Sequence, residues 1–200
     1  PLGGATYAVE IVMVSGIRRR GVLLAVPVSV IAVVVSWIHS RGHPTFQVAT
    51  VAPSAATLWA LLLLIPLAAG LGAGSRGLWV WARTHRLKDG WALPCGIAVA
   101  GLATGLVSLW LPMVPGNGRD AMAVALASDA RGMALAMLLG VVALKPLLTA
   151  LTLGAGAEGG LLAPSFGVGA SAGAALAGAL QMMGLDVSVT TLAFAGAAAM

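Results

Sequence analysis

The stretch GAGAEGGLLAPSFGVGASAG, residues 154–173, decides the fold of this chain. Its glycines form a flexible loop that leads to residues 161–164 (LLAP), and small residues at helical spacing follow. Proline suits the first turn of a helix, because the N–H that it lacks would have no partner there. The stretch therefore predicts a helix over about residues 163–183 that starts immediately after a glycine loop.

A helix start of this kind can hold a small anion with backbone groups alone. The free N–H groups at a helix N-terminus carry about half an elementary positive charge, and glycine lets a ligand approach the backbone closely. The alternative is that the same small residues only allow two membrane helices to pack closely. The candidate anion-binding amides are those of Gly160, Leu161, Leu162 and Ala163, next to Pro164 at the helix start, which has no N–H.

The composition excludes an ordinary soluble domain. Charged residues make up 8% of the 200 residues and hydrophobic residues 60%, whereas about a quarter of the residues in a soluble domain are charged. The net charge of +5 comes from basic residues between apolar runs, which favours a role in membrane topology over nucleic-acid binding. One cysteine allows no internal disulfide, and no metal-ligand or catalytic set is found in the sequence. We therefore expect an integral membrane protein that is not an enzyme and has no cofactor.

Long apolar runs indicate an all-α membrane protein that crosses the bilayer several times. The runs over residues 21–38, 54–81, 91–111 and 131–153 can each cross a hydrocarbon core of roughly 30 Å, whereas 121–127 is too short. Short helices and helices interrupted by glycine or proline are typical of transporter cores, in which non-helical backbone surrounds a site.

The basic residues predict how the chain is oriented in the cell membrane. The loops at residues 16–20 and 83–89 are rich in Arg and Lys, whereas those at 40–53 and 112–120 contain one Arg each. Because basic loops remain on the cytoplasmic side, we expect the first pair to face the cytoplasm and the second pair to face outwards.

Two segments resemble the CLC family of chloride channels and transporters. The first residues, PLGGATYAVE, resemble the family's PLAG-x-x-F-x-x-E segment. Residues 144–174, LKPLLTALTLGAGAEGGLLAPSFGVGASAGA, resemble its third anion-binding segment, with the pattern G-[IVL]-F-x-P after a Gly/Ser loop. PGNG at residues 115–118 is a weaker signal for a further loop of this type.

The resemblance implies a CLC-like inverted-repeat bundle with tilted, broken and re-entrant helices. Residues 1–200 would form the central part of its membrane domain, with the end of the first repeat, most of the second and no soluble domain. The family's gating glutamate and pore tyrosine would then lie outside these residues, so we expect the chain to be a fragment.

The resemblance also implies a function, which is transport of small monovalent anions, chloride above all, by a homodimer with one pore per subunit. The anion would bind the backbone amides of Leu161 and Leu162, and Leu162 replaces the family's usual Phe. Because the backbone binds the ion, this replacement would affect pore width more than binding. A non-conducting structural membrane protein is the alternative outside transport.

Two charged residues near the glycine loop have a candidate role in the electrostatics of a pore. Lys145 lies in the middle of an apolar run, where an unpaired charge costs about 2.5–3.5 kcal/mol. It either raises the potential along an anion route or pairs with an acid. Glu158 lies within the loop, where an ionised carboxylate would repel an anion unless it faces solvent or a basic partner such as Lys145.

Glu10 and Ile11 bear on whether transport is coupled to protons. Proton-coupled members of the family generally have a second glutamate at the position of Ile11, where it relays the proton. Isoleucine has no exchangeable proton, so Ile11 favours channel-like conduction and Glu10 a structural role. A proton-coupled chloride antiporter, with the relay displaced to another acid, is the alternative.

Overall fold

A computed structural model describes residues 18–40, 53–127, 132–157 and 159–200, and the regular structure in these ranges is α-helical throughout. The predicted all-α membrane fold is therefore confirmed. The helices, numbered along the chain, are α1 (Arg18–Ser40), α2 (Ala55–Thr84), α3 (Ala92–Ser108), α4 (Arg119–Ala127), α5 (Met133–Gly154), α6 (Leu162–Met182) and α7 (Val189–Ala199).

The chain divides into two units, Pro1–Gln47 and Val48–Met200. The described part of the first unit is α1, which contains Pro27 and carries exposed apolar side chains such as Val28 and Ile31. An apolar helix surface of this kind suits contact with lipid or with another membrane helix.

Three helices in the described ranges are long and apolar enough to cross a membrane, namely α2, α5 and α6. The sequence predicts a further span over residues 91–111, but α3 has only 17 residues because the chain turns after Ser108. The run over residues 121–127 forms the last seven residues of the short helix α4, as its length suggests.

Helix α6 lies at the centre of the second unit, in contact with α2, α4, α5 and α7. Its glycines bring neighbouring backbones together, because a Cβ atom at Gly173 would collide with the carbonyl oxygen of Leu192 in α7. Gly169 and Gly196 face each other in the same way one turn away. Small residues therefore fix the position of α6, as is usual where membrane helices pack closely.

Hydrogen bonds fix α2 against the rest of this unit at two places. At its start, Ser54 Oγ donates to the carbonyl oxygen of Asp186 (2.6 Å), and Thr57 Oγ1 accepts from the N–H of Ser188 (3.0 Å). Near its end, the indole N–H of Trp79 donates to the buried carbonyl of Pro146 in α5 (3.0 Å). The first contact holds α2 against the connection between α6 and α7, and the second holds it beside α5, which precedes the glycine loop.

We predict that Gly173→Ala lowers the thermal unfolding midpoint of the protein in detergent, because α6 and α7 must move apart to admit the methyl group. Overpacking of this kind costs about 1–3 kcal/mol. Gly77→Ala in α2 is the control, because a Cβ atom there meets nothing within 4 Å. Equal midpoints for the two variants would contradict backbone-to-backbone packing at Gly173.

Candidate anion-binding site

The start of α6 leaves backbone N–H groups without partners inside the helix. The first residue to donate back along the chain is Ser165, whose N–H bonds the carbonyl of Leu161 (3.1 Å). Leu162 and Ala163 precede it in the first turn, where a helix offers no acceptor, and Pro164 has no N–H. The N-cap residue of this helix, Leu161, makes no side-chain capping hydrogen bond. The helix starts within one residue of the predicted position.

The glycine loop before α6 has a shape that requires glycine at residue 156. Gly156 has φ of 90°, in the left-handed region. A Cβ atom on it would lie 2.7 Å from the carbonyl oxygen of Leu87 and would also collide with the side chain of Leu93. Gly159 and Gly160, further along, are exposed. The loop therefore approaches the α2–α3 connection on one side and is open where it reaches α6.

A cavity of about 420 Å³ lies beside this helix start, within the second unit. Four segments meet around it: α3, the turn after it, the middle of α5, and the glycine loop with the first turn of α6. Three of the five predicted anion-site residues, Gly160, Leu161 and Pro164, line this one cavity. The other residues that line it are Ile97, Ala100, Gly101, Thr104, Val114, Pro115, Gly116, Lys145, Leu148, Thr149, Thr152, Leu153, Ala157 and Gly159.

Lys145 is 2% exposed and lies on the wall of the same cavity. Its ammonium donates hydrogen bonds to the carbonyl oxygens of Val114 (2.5 Å) and Gly116 (3.1 Å). Asp120 lies in the first turn of α4, a helix that contacts α5. The sequence offers Lys145 as a candidate for the electrostatics of a pore, and the structure places it on the same cavity wall as Leu161, which lies 16 residues further along the chain.

The PGNG loop at residues 115–118 packs against both Lys145 and the start of α6. Gly118 has φ of 89°, and a Cβ atom there would lie 2.7 Å from the carbonyl oxygen of Ala163 and 3.3 Å from Cε of Lys145. A Cβ atom at Gly167, in the second turn of α6, would lie 2.9 Å from the carbonyl oxygen of Gly118. Pro115 and Gly116 of this loop line the cavity, so the weak sequence signal contributes part of its wall.

Sequence reasoning missed the contribution of α3 and of the threonines. Ala100, Gly101 and Thr104 line the cavity from one face of α3. Thr104 follows the two small residues by three and four positions, and this helical spacing is the signal in the sequence that places them on one face. Thr152 lines it from α5, with its hydroxyl donating to the carbonyl of Leu148 (2.8 Å). Three predicted site residues, Glu10, Ile11 and Glu158, lie outside the described residues.

Comparison with known proteins gives one match. A family model described as voltage gated chloride channel matches residues 1–200. Neither the curated proteins nor the solved structures contain a match to the chain.

We predict that Lys145→Met weakens chloride binding by about tenfold or more. A buried cation near an anion contributes several kcal/mol even at an effective dielectric constant of about 20, and methionine has a similar length without charge. Lys145→Arg keeps the charge and should retain most of the affinity. Chloride titration of the purified full-length protein by calorimetry measures the effect.

Lys88→Met is the matched control, because it removes the same charge from a residue that does not line the cavity. If both methionine variants bound chloride as tightly as the unmodified protein, Lys145 would have no electrostatic role in the site.

Proposed function

The chain belongs to the voltage-gated chloride channel family, whose members transport anions across membranes, and we propose that it conducts chloride past the start of α6. The bound ion is coordinated by the backbone N–H groups of Leu161 and Leu162, with Gly160 and Ala163 beside them. The observation that supports this is a helix start that lies at a cavity shared with Lys145 and whose N-cap residue, Leu161, provides no side-chain cap. Fluoride and nitrate are small enough to use the same donors.

Backbone donors suit conduction because they bind an anion without trapping it. A site in a conduction pathway must attract the ion enough for entry and release it readily. The partial positive charge at a helix start offers such moderate attraction, about half an elementary charge spread over several N–H groups. Leu162, which is 41% exposed, contributes its amide to binding and its side chain to the width of the route.

Lys145 acts on the anion through its charge rather than by direct contact. An ammonium has three donors, and two of those of Lys145 are used by the carbonyls of Val114 and Gly116. These bonds hold the charge in the wall of the cavity and offset part of its desolvation cost. The result is a positive potential at the site without a direct ion pair between Lys145 and chloride, which would hold the ion too strongly for release.

The mode of transport is conduction without fixed coupling to protons, on the basis of Ile11. The competing mode is proton-coupled antiport, in which Glu10 or Glu158 would relay the proton. Either carboxyl group would need a pKa that burial has raised towards neutrality.

The assembled protein is a homodimer in the cell membrane, with the loops at residues 16–20 and 83–89 in the cytoplasm. The exposed apolar surface of α1 is suited to contact with a second subunit. Light scattering of the full-length protein in mild detergent measures the mass of the particle, and a monomer at all protein concentrations would contradict this assembly.

We predict that the full-length protein in liposomes carries a chloride current whose reversal potential follows the chloride gradient alone. A pH gradient should leave this potential unchanged, because the position of Ile11 offers no proton. Uphill proton movement at a fixed ratio to chloride would show an antiporter instead. The absence of any chloride flux, in liposomes that hold correctly folded protein, would contradict the proposed function itself.

A further inference from the structure

The end of α2 and the residues after it lie along the glycine loop that precedes α6. The guanidinium of Arg83 donates a hydrogen bond through Nη2 to the carbonyl oxygen of Gly159 (3.2 Å). The N–H of Leu87 donates to the carbonyl oxygen of Gly154 (2.9 Å), and the carbonyl of Leu87 lies against Gly156. One short segment therefore contacts the loop at its beginning, its middle and its end.

Among the described residues of the loop, backbone hydrogen bonds lie at its two ends. At the first end, the N–H groups of Ala155, Gly156 and Ala157 bond carbonyls in the last turns of α5. At the second end, Ser165 bonds Leu161. Between these ends, the side chain of Arg83 donates a hydrogen bond to the carbonyl of Gly159.

The hydrogen bond of Arg83 has a consequence for the next N–H group. The carbonyl of Gly159 and the N–H of Gly160 belong to one planar trans peptide, so they point in opposite directions. A carbonyl that is held towards Arg83 turns the N–H of Gly160 away from it. Gly160 lies on the cavity wall, whereas Arg83 does not.

The Gly159–Gly160 peptide lies between two glycines and needs a restraint such as the hydrogen bond from Arg83 to keep one orientation. Without Cβ atoms on either side, both orientations of the peptide are sterically open, and a Cβ atom at Gly159 would meet nothing within 4 Å. In the reversed orientation, the carbonyl oxygen of Gly159 would replace the N–H of Gly160 and would present partial negative charge to an anion.

We propose that Arg83 is a positioning residue for the anion site, which it serves by holding the Gly159–Gly160 peptide with its N–H available to the ion. This inference rests on the proposed function, because the anion site that Arg83 would serve is part of that proposal. It also gives the basic α2–α3 region a role beyond membrane topology. Loss of Arg83 lets the peptide reverse, which weakens binding and alters the choice between anions.

The test compares Arg83→Met, Arg83→Lys and Lys88→Met in the full-length protein. Lys88→Met is the matched control, because it removes a charge from the same region and Lys88 makes no hydrogen bond to the described residues of the loop. Two properties are measured: amide hydrogen exchange of the peptide that covers residues 154–161, and the chloride-to-nitrate permeability ratio in liposomes.

We expect exchange in this peptide to become about fivefold faster in Arg83→Met, because the loop opens more often once the hydrogen bond from the charged guanidinium to its carbonyl is lost. The permeability ratio should change by about threefold or more, since a peptide dipole at the ion reverses. Arg83→Lys keeps a donor and should return both values most of the way, while Lys88→Met should leave both unchanged.

Unchanged exchange in Arg83→Met would overturn the proposal, whether or not the protein conducts. So would an unchanged permeability ratio, or a shift of equal size in Lys88→Met, which would indicate that charge alone matters. If the unmodified protein carried no anion, the proposed function would fail and the exchange data alone would decide whether Arg83 orders the loop.

Discussion

The N–H groups of Leu162 and Ala163 have no acceptor within α6, and in an apolar chain such groups are costly to leave unmatched. A soluble protein would supply water or a capping side chain, but Leu161, the N-cap residue of this helix, makes no side-chain capping hydrogen bond. The chain instead provides a cavity at the helix start, with a buried ammonium on its wall. In the proposed function, an anion at the helix start accepts from these amides, and the charge of Lys145, which two carbonyls already bind, stabilises it without direct contact.

The two interpretations of the small-residue stretch, an anion site and close helix packing, apply to different parts of it. Before and at the helix start, Gly159, Gly160, Leu162 and Ala163 are exposed. From Pro164 onwards, most residues of α6 up to Gly178 are buried, and several of its glycines touch neighbouring backbones. Close packing therefore fixes the helix whose free end forms the proposed site. A side chain at Gly167 would press on the PGNG loop and so disturb the cavity wall as well.

Local sequence patterns predicted the parts of this arrangement that depend on neighbouring residues. The start of α6 was predictable because proline, glycine and small residues each have a backbone preference that acts within one or two turns. The length of α4 was predictable for a similar reason, since only a few apolar residues separate polar ones. The span assigned to residues 91–111 was too long because hydropathy does not detect the turn that follows Ser108.

The contacts between distant segments were not predictable from one sequence. Lys145 could be recognised as a costly buried charge, but nothing in its neighbourhood identified the carbonyls of Val114 and Gly116 as its acceptors. Arg83 was interpreted as a topology signal, although its guanidinium bonds Gly159, which lies 76 residues further along the chain. Such pairs depend on how helices are arranged in space, and periodicity and composition contain little information about that arrangement.

The central claim is that the anion binds backbone amides, and replacing a single amide tests it most directly. Incorporation of the α-hydroxy acid analogue of leucine at residue 162 exchanges the N–H for an ester oxygen, whereas Leu162→Phe keeps the N–H and changes only the side chain. The account predicts that the ester weakens chloride binding by about tenfold or more, because a hydrogen bond to an ion contributes about 1.5–3 kcal/mol. It also predicts that Leu162→Phe changes chloride binding by no more than about twofold, since the amide donor is retained. An ester variant that binds chloride normally, beside a Phe variant that does not, would contradict the account.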